Sequence, residues 1–267
     1  MVARTLSGSV ARRPRAFVSV SGPEAEDYLQ RMVSNDVASL ETGGSCDALL
    51  LTPKARVIAP LRIWRRGTDD FLLLTEPELG ARVRDELQRM RFAANCEIAL
   101  EQHDSYVLFG VGDGIPNPDY GVEAVEILGE LPAELPELGD EELEGLRIEA
   151  GTPRYGAEID ERIMPAEAGL DQTHVSFTKG CYPGQEPVAR LHYRGRPNWR
   201  LRVLEVDGAS AGDEIVHDGK AVGRVTSAVP GRALGYVRRE VPDDAVLQIG
   251  GAEARLFVGK SPAASRP

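Results

Sequence analysis

The stretch after Pro197 places the tightest limit on what this chain can fold into. Short segments suited to β-strands follow one another at close spacing there, at 199–206, 213–228, 232–237, 246–249 and 254–259. Asp218-Gly219 stands inside the second segment and is a strong hairpin signal, because a type I′ turn needs positive φ at both positions. The pattern predicts an all-β module, a small barrel, over residues 197–260. We expect the tail at 261–267 to be disordered.

Residues 1–196 mix helix and strand patterns, so the predicted fold class is α+β. Helical signals begin at Ser21-Gly22-Pro23, at Pro77 (as far as about Arg91) and at Asp140, which we expect to cap a helix that ends at Gly151. The Glu-, Leu- and Pro-rich stretch 128–139 is predicted to be a linker or a turn over the surface. Alternating or continuous apolar runs predict strands, at 16–20, 48–52, 57–64, 71–75, 96–102 and 105–111.

Composition excludes several classes of protein. The formal net charge of −11 argues against non-specific binding to nucleic acid. No apolar run reaches the roughly 18 residues of a membrane helix, and the basic N-terminus lacks the apolar run of a secretory signal. The three cysteines lack CxxC spacing, so we predict no disulfide framework and a cytoplasmic location. The four histidines lack metal-ligand spacing, so we predict no metal site.

The segment 179-KGCYPGQEPVAR-190 has the composition of a site rather than of a plain surface loop. Gly180 and Gly184 flank a Tyr-Pro pair, which predicts a sharp turn near the surface. A buried, inert thiol is a common fate for cysteine. In this context Cys181 is the candidate reactive thiol, with Lys179 placed to favour the thiolate. Cys46 and Cys96 lie in apolar or strand-like contexts and are expected to be inert.

Glu149 is a candidate ligand-binding carboxylate. Local sequence alone favours a solvent-facing glutamate at the end of a helix. Its position where the chain becomes apolar and turns suits a carboxylate that accepts two parallel N–H donors from a pterin-like or guanine-like edge.

Arginines crowd the segment 190-RLHYRGRPNWRLR-202. Two interpretations stay open for them. They are either a solvated, Arg-rich strand and turn, or a surface for a polyanionic tail or an acidic partner.

Four segments together resemble one family. They are 21-SGPEAEDYLQRMVSNDV-37, 49-LLLTPKARV-57, 147-RIEAGTPRYGAEIDERIMPAEAGL-170 and 177-FTKGCYPGQE-186. The family is that of the folate-binding YgfZ-type proteins, relatives of the glycine-cleavage T-protein, an aminomethyltransferase. The resemblance runs from about residue 13 to the end of the chain. KGCYPGQE is its specific part, because T-proteins lack this cysteine motif.

The resemblance implies a two-lobed core around a central opening that binds tetrahydrofolate or a one-carbon derivative. It implies a role in making or maintaining iron–sulfur clusters, with iron–sulfur client or assembly proteins as partners. Glu149 matches the glutamate that holds the pterin ring, and Cys181 matches the functional thiol, with Lys179 beside it. The other folate-binding residues assigned under this resemblance are Asn35, Tyr155, Gln185, Glu186 and Arg190.

This chain departs from the T-protein pattern in one strand, and the difference distinguishes T-proteins from YgfZ-type proteins. T-proteins carry an aspartate pair in a strand that matches 55-ARVIAPLRI-63, where this chain has Ala59 and Pro60. The loss favours a folate-dependent accessory factor over a one-carbon transferase or demethylase. A folate-binding scaffold without chemistry of its own is the third interpretation.

Overall fold

The computed structural model describes residues 6–131 and 135–257. The helices in these ranges are α1 (Ala25–Met32), α2 (Gly80–Met90), α3 (Asp140–Ala150) and α4 (Gln185–Arg194). The core strands are β1 (Val10–Arg12), β2 (Ala16–Ser21), β3 (Ser45–Leu51), β4 (Val57–Gly67), β5 (Asp70–Thr75), β6 (Glu97–Glu101), β7 (Ser105–Phe109), β8 (Ile115–Pro116) and β9 (Ala124–Leu128). The remaining strands are β10 (Trp199–Glu205), β11 (Glu214–His217), β12 (Lys220–Val229), β13 (Arg232–Arg238), β14 (Val246–Ile249) and β15 (Ala252–Leu256). This content confirms the α+β class.

Two sheets build the core. One has five strands in the order β3-β4-β5-β2-β6, and the other has four in the order β1-β7-β9-β8. The five-stranded sheet is apolar on both faces because successive side chains of a strand point to opposite sides. In β5, Phe71 and Leu73 pack with α1 and α2, whereas Leu72 and Leu74 pack with Ile115 of the second sheet. The two sheets are therefore joined by a buried apolar layer.

The C-terminal strands close into a barrel in the order β10-β13-β12-β11-β14-β15. Asp218 and Gly219 form the turn between β11 and β12 with φ values of 49° and 73°. The predicted hairpin and barrel are thus confirmed. The boundary between core and barrel at 196/197 remains a prediction, and the tail at 261–267 lies outside the described residues.

A buried polar seam holds the barrel against the core. Arg147 of α3 donates to Glu158 Oε2 over 3.0 Å and to Ser227 Oγ on β12 over 3.0 Å. Ser227 in turn donates to Glu158 Oε1 over 2.6 Å, and Tyr236 of β13 donates to the Glu158 carbonyl oxygen over 2.9 Å. Because every member of this network has a partner, the seam fixes the end of α3 relative to the barrel.

Three local predictions need correction. The arginine-rich stretch expected to be strand and turn begins as a helix, α4, which tolerates Pro187 because the residue stands in its first turn. The short strands β1 and β8 were missed because two or three residues give no periodic signal, and β9 (Ala124–Leu128) was missed as well. The cap of α3 is Gly139, not Asp140, and its N–H donates to Glu142 Oε2 over 3.1 Å. Residues 132–134 of the predicted linker lie outside the described ranges.

Candidate functional site

A cavity of about 310 Å³ lies where the two sheets, the end of α3 and the barrel meet. Apolar side chains and a ring of charged ones share its wall. The apolar members include Leu61, Leu74, Pro118, Tyr120, Ile159, Leu170, Leu201, Val203 and Phe257. The charged members include Arg13, Arg15, Asp47, Arg62, Glu76, Asp119, Arg147, Glu149, Arg154 and Arg202. Small-molecule sites combine apolar walls with polar groups that fix the orientation of the ligand, and this cavity carries more charged groups than is usual.

Glu149 reaches this cavity from the last turn of α3. The helix ends there because Gly151 takes a left-handed conformation with φ 73°, and its N–H donates to the carbonyl oxygens of Arg147 and Ile148. The Glu149 side chain is exposed. Within residues 6–131 and 135–257 it has no hydrogen-bond or ion-pair partner, so both carboxylate oxygens are available to a ligand.

A buried ion network forms the wall of the cavity around Arg62 of β4. Arg62 donates to Asp47 over 2.9 Å and to Asp119 over 2.7 Å, and Arg15 donates to Glu126 over 2.9 Å. Burial alone would raise the pKa of Asp119, but the positive charges of Arg62 and Arg15 outweigh it and hold that pKa well below its usual value. The wall therefore stays charged. An arginine inside the apolar run 57–64 was the sequence signal for this network, because a buried charge requires partners.

Pro60 lines the cavity, whereas Ala59 is buried in the core on the other side of β4. The Pro60 carbonyl oxygen accepts a 2.8 Å hydrogen bond from Thr75 Oγ1. Carboxylates face the cavity from Asp47 and Asp119 instead, on other segments and already paired with arginine. Sequence reasoning missed both of them.

Cys181 is exposed in the turn that leads into α4. Gly184 explains the sharpness of this turn. Its φ is +83°, and a Cβ atom there would stand 2.6 Å from the carbonyl oxygen of Thr52. Glycine is thus required both by conformation and by the close approach of two backbone segments. The KGCYPGQE motif is therefore packed onto the turn at 52–55.

Lys179 anchors the other end of the same loop. Its Nζ donates 2.7 Å hydrogen bonds to the carbonyl oxygens of Val33 and Asn35, and it lies 5.4 Å from the centre of the Tyr182 ring. Burial lowers the pKa of Lys179 to about 8. The effect of Lys179 on the thiol of Cys181 remains a prediction.

The other assigned residues fall into separate places. Asn35 stands behind the cavity wall, where its Nδ2 donates to the carbonyl oxygens of Asp47 and Thr173 over 2.7 and 3.2 Å. Tyr155 packs between two core clusters and accepts a 3.3 Å hydrogen bond from Arg82. Three assigned residues belong to α4, namely Gln185, Glu186 and Arg190. Among the assigned residues, only Glu149 lines the cavity as the structure describes it.

The described ranges offer neither a metal cluster nor a helix that could span a membrane. No three or more His, Cys, Asp or Glu side chains gather there in a way that could hold a metal ion. None of the helices within residues 6–131 and 135–257 has the length and apolar character needed to cross a membrane.

Known proteins share this architecture. Residues 198–260 match the family model for the CAF17 C-terminal beta-barrel domain. The solved structure of glycine cleavage system aminomethyltransferase T from Bartonella henselae has a TM-score of 0.82, with 95% of this chain and 86% of that chain covered. Sequence identity is 19%, so this likeness shows the fold alone. The fold is that of a T-protein-like protein.

Sequence relatives narrow the class. A protein of Haemophilus influenzae is 29% identical over 229 residues, which cover 80% of this chain and 81% of the relative. The tRNA-modifying protein YgfZ of Photorhabdus laumondii is 30% identical over 221 residues, which cover 67% of this chain and 65% of that protein, just under two thirds of its length. Together with the barrel and the fold, these similarities support a YgfZ-type, T-protein-like protein.

Proposed function

We propose that this protein binds a reduced folate, tetrahydrofolate or a one-carbon derivative, in the central cavity. The observation that carries the proposal is the unpaired carboxylate of Glu149 at the wall of the cavity, within the described ranges. A carboxylate matches the two adjacent N–H donors of a pterin edge. Such charge-assisted pairs fix the orientation of the ligand and also contribute binding energy.

The cavity fits the rest of such a ligand. Its volume of about 310 Å³ lies at the lower end of the range for small-molecule sites, and apolar side chains such as Leu61 and Ile159 can pack against an aromatic ring system. When bound, a reduced folate supplies a carrier for one-carbon units. The chain's own residues would hold the ring and shield it from water.

We propose further that the protein is an accessory factor for the synthesis or maintenance of iron–sulfur clusters in client enzymes, and that it acts through Cys181. The exposure of Cys181 supports this role, because a thiol that serves another protein must be reachable from outside. All three cysteines are free, which suits the reducing cytoplasm where we place the protein.

A one-carbon transferase is the second candidate, and the T-protein-like fold favours it. Pro60 weighs against it, because the residue of β4 that lines the cavity at this point supplies no carboxylate. The carboxylates of Asp47 and Asp119 already neutralise Arg62. We therefore propose the accessory role.

The name of the Photorhabdus relative concerns tRNA modification. We extend the proposal accordingly: one client of this protein is an enzyme that modifies tRNA. Loss of the protein should then lower the content of a modified nucleoside in total tRNA, measured by mass spectrometry of digested tRNA.

The test of the accessory role is a deletion strain in which iron–sulfur enzyme activities are measured. Wild-type protein and Cys96→Ala should restore those activities, whereas Cys181→Ala should not. Full rescue by Cys181→Ala would exclude the thiol mechanism. Turnover of an aminomethylated carrier protein with tetrahydrofolate, at the rate of a T-protein, would move the chain to the transferase class.

A further inference from the structure

One face of α4 carries an exposed group of basic and aromatic side chains. Its members Glu186, Arg190, Tyr193 and Arg194 are spaced by four, seven and eight residues from the first, which places them on one side of a helix. The buried Val188 lies on the opposite side. Two further exposed arginines follow in the chain, Arg196 just after the helix and Arg200 in β10. We call the four residues of the helix the α4 surface.

Tyr193 is the apolar centre of the α4 surface. Its side chain is 68% exposed, an unusual state for a large ring. Phe177 and His192 stack with centroids 3.8 Å apart, and Tyr193 meets them edge-on at 5.9 and 4.9 Å. Phe177 in turn packs against the core. These contacts already order the Tyr193 ring, so its side chain loses little entropy when a partner covers it.

The charge of the α4 surface opposes that of the whole protein. Residues 185–200 contain four arginines and one acid, Glu186, in a chain of net charge −11. Within the described ranges, none of these arginines has an ion-pair partner. The unpaired guanidinium groups of Arg190 and Arg194, on the same helix as an exposed tyrosine, match the composition of binding hot spots in protein interfaces.

The exposed thiol lies close in the chain to the start of α4. Cys181 stands four residues before the start of α4, and a ten-residue helix is about 15 Å long. The turn that carries the thiol is fixed by Gly184 against Thr52 and by Lys179 against Asn35. A protein segment bound along α4 would therefore end near the sulfur atom.

We propose that the α4 surface is the docking site for an acidic segment of a partner protein, which presents that partner's reacting group to Cys181. This inference rests on the proposed function, because it names the surface on which a client is received. A protein fits better than RNA. The surface is short and includes a carboxylate, Glu186, and the acidic remainder of the chain repels an extended polyanion.

The test measures how fast Cys181 reacts with a charged peptide. The probe is a short glutamate-rich peptide whose cysteine is held as a mixed disulfide with thionitrobenzoate. The Cys181 thiolate attacks the peptide sulfur, the protein–peptide disulfide forms and coloured thionitrobenzoate leaves, so thiols and disulfides balance. A glutamine-rich peptide is the neutral comparison, and Cys181→Ser gives the background from Cys46 and Cys96.

At low salt the acidic peptide should react about tenfold faster than the neutral one, the lower end of electrostatic rate enhancement. Arg194→Ala and Tyr193→Ala should each reduce this advantage. The matched control Arg31→Ala/Arg255→Ala removes two exposed arginines from α1 and β15 and should keep the advantage. All these variants should react with iodoacetamide at the wild-type rate.

Equal rates for the two peptides, with normal iodoacetamide reactivity, would overturn the docking surface and leave the thiol proposal standing. Slow reaction with iodoacetamide itself would instead contradict the thiol proposal. A single-stranded oligoribonucleotide that competes more strongly than a glutamate peptide without cysteine would show an RNA surface and refute the acidic protein partner.

Discussion

The ammonium group of Lys179 donates a 2.7 Å hydrogen bond to the backbone carbonyl oxygen of Asn35. The side chain of Asn35 donates onward to the carbonyl oxygens of Asp47 and Thr173, two residues that line the cavity. Hydrogen bonds of Lys179 and then of Asn35 therefore connect the loop that carries Cys181 to the wall of the central cavity.

Replacement of Lys179 by Met should change how stability depends on pH. Burial lowers the pKa of Lys179 to about 8, from a usual value of 10.5. Between these two values the unfolded chain binds more protons than the folded one, so this group makes wild-type stability rise with pH across that window. Lys179→Met should lack the rise. Urea unfolding at pH 7.5, 9 and 10.5 measures it, and parallel curves for the two proteins would contradict the prediction.

Replacement of Glu149 by Ala should weaken binding of tetrahydrofolate by about ten- to a hundredfold, because a hydrogen bond to a charged acceptor contributes roughly 1.5–3 kcal/mol. Unfolding stability should change little, since the side chain is exposed and has no partner within the described ranges. Calorimetric titration measures the affinity. Glu78→Ala, at another exposed glutamate, is the control, and equal affinity for Glu149→Ala and wild type would remove Glu149 from the site.

Alkylation should distinguish the three cysteines. Burial raises the pKa of Cys46 to about 12 and also raises that of Cys96, whereas Cys181 is exposed. Only the thiolate reacts, so at pH 8 iodoacetamide should modify Cys181 more than about tenfold faster than Cys46. Peptide mass spectrometry across pH follows each site. Equal rates at Cys181 and Cys96 would indicate a purely structural thiol.

The two glycines of the KGCYPGQE motif should respond differently to alanine. At Gly184 the φ is +83°, and the methyl group of an alanine would stand 2.6 Å from the carbonyl oxygen of Thr52, so we expect a loss of at least about 2 kcal/mol. A methyl group at Gly180 would meet no atom within 4 Å, so Gly180→Ala should stay within about 0.5 kcal/mol of wild type. Chemical unfolding of both variants gives the comparison, and similar losses would argue against the tight joint at Thr52.

Tyr182 should tolerate loss of its hydroxyl group. The hydroxyl is buried and has no hydrogen-bond partner in the described part of the chain, a state that costs roughly 1–3 kcal/mol. Tyr182→Phe should therefore raise the free energy of unfolding by about 1 kcal/mol. Tyr28 is the matched control, because its buried hydroxyl donates to the Leu87 carbonyl oxygen over 2.5 Å and Tyr28→Phe should destabilise. Destabilisation by Tyr182→Phe would reveal a partner for this hydroxyl.

Local sequence patterns were enough to predict the α+β class, the barrel and most of the core elements. The barrel could be predicted because its signals are local: each strand alternates within a few residues, and Asp218-Gly219 fixes a turn on its own. Glu149 and Cys181 could be selected as candidates for the same reason, since each stands in a short motif whose residues are adjacent in the chain, and their roles remain predictions. The helix at 185–194 was not predicted, and its part from Arg190 was expected to be strand and turn, because a proline in the first turn hides a helix from pattern reading.

The arrangement of these elements around the cavity depends on contacts between distant parts of the chain. Asp47 and Arg62 face each other across neighbouring strands, whereas Asp119 stands 57 positions after Arg62 and joins them because a turn of the second sheet converges on the same cavity wall. The role of Lys179 emerges in the same way, since its ammonium group meets carbonyl oxygens about 145 positions earlier in the chain. Such contacts depend on the packing of whole sheets, which no local pattern encodes, whereas turns, caps and strand periods depend on neighbours alone.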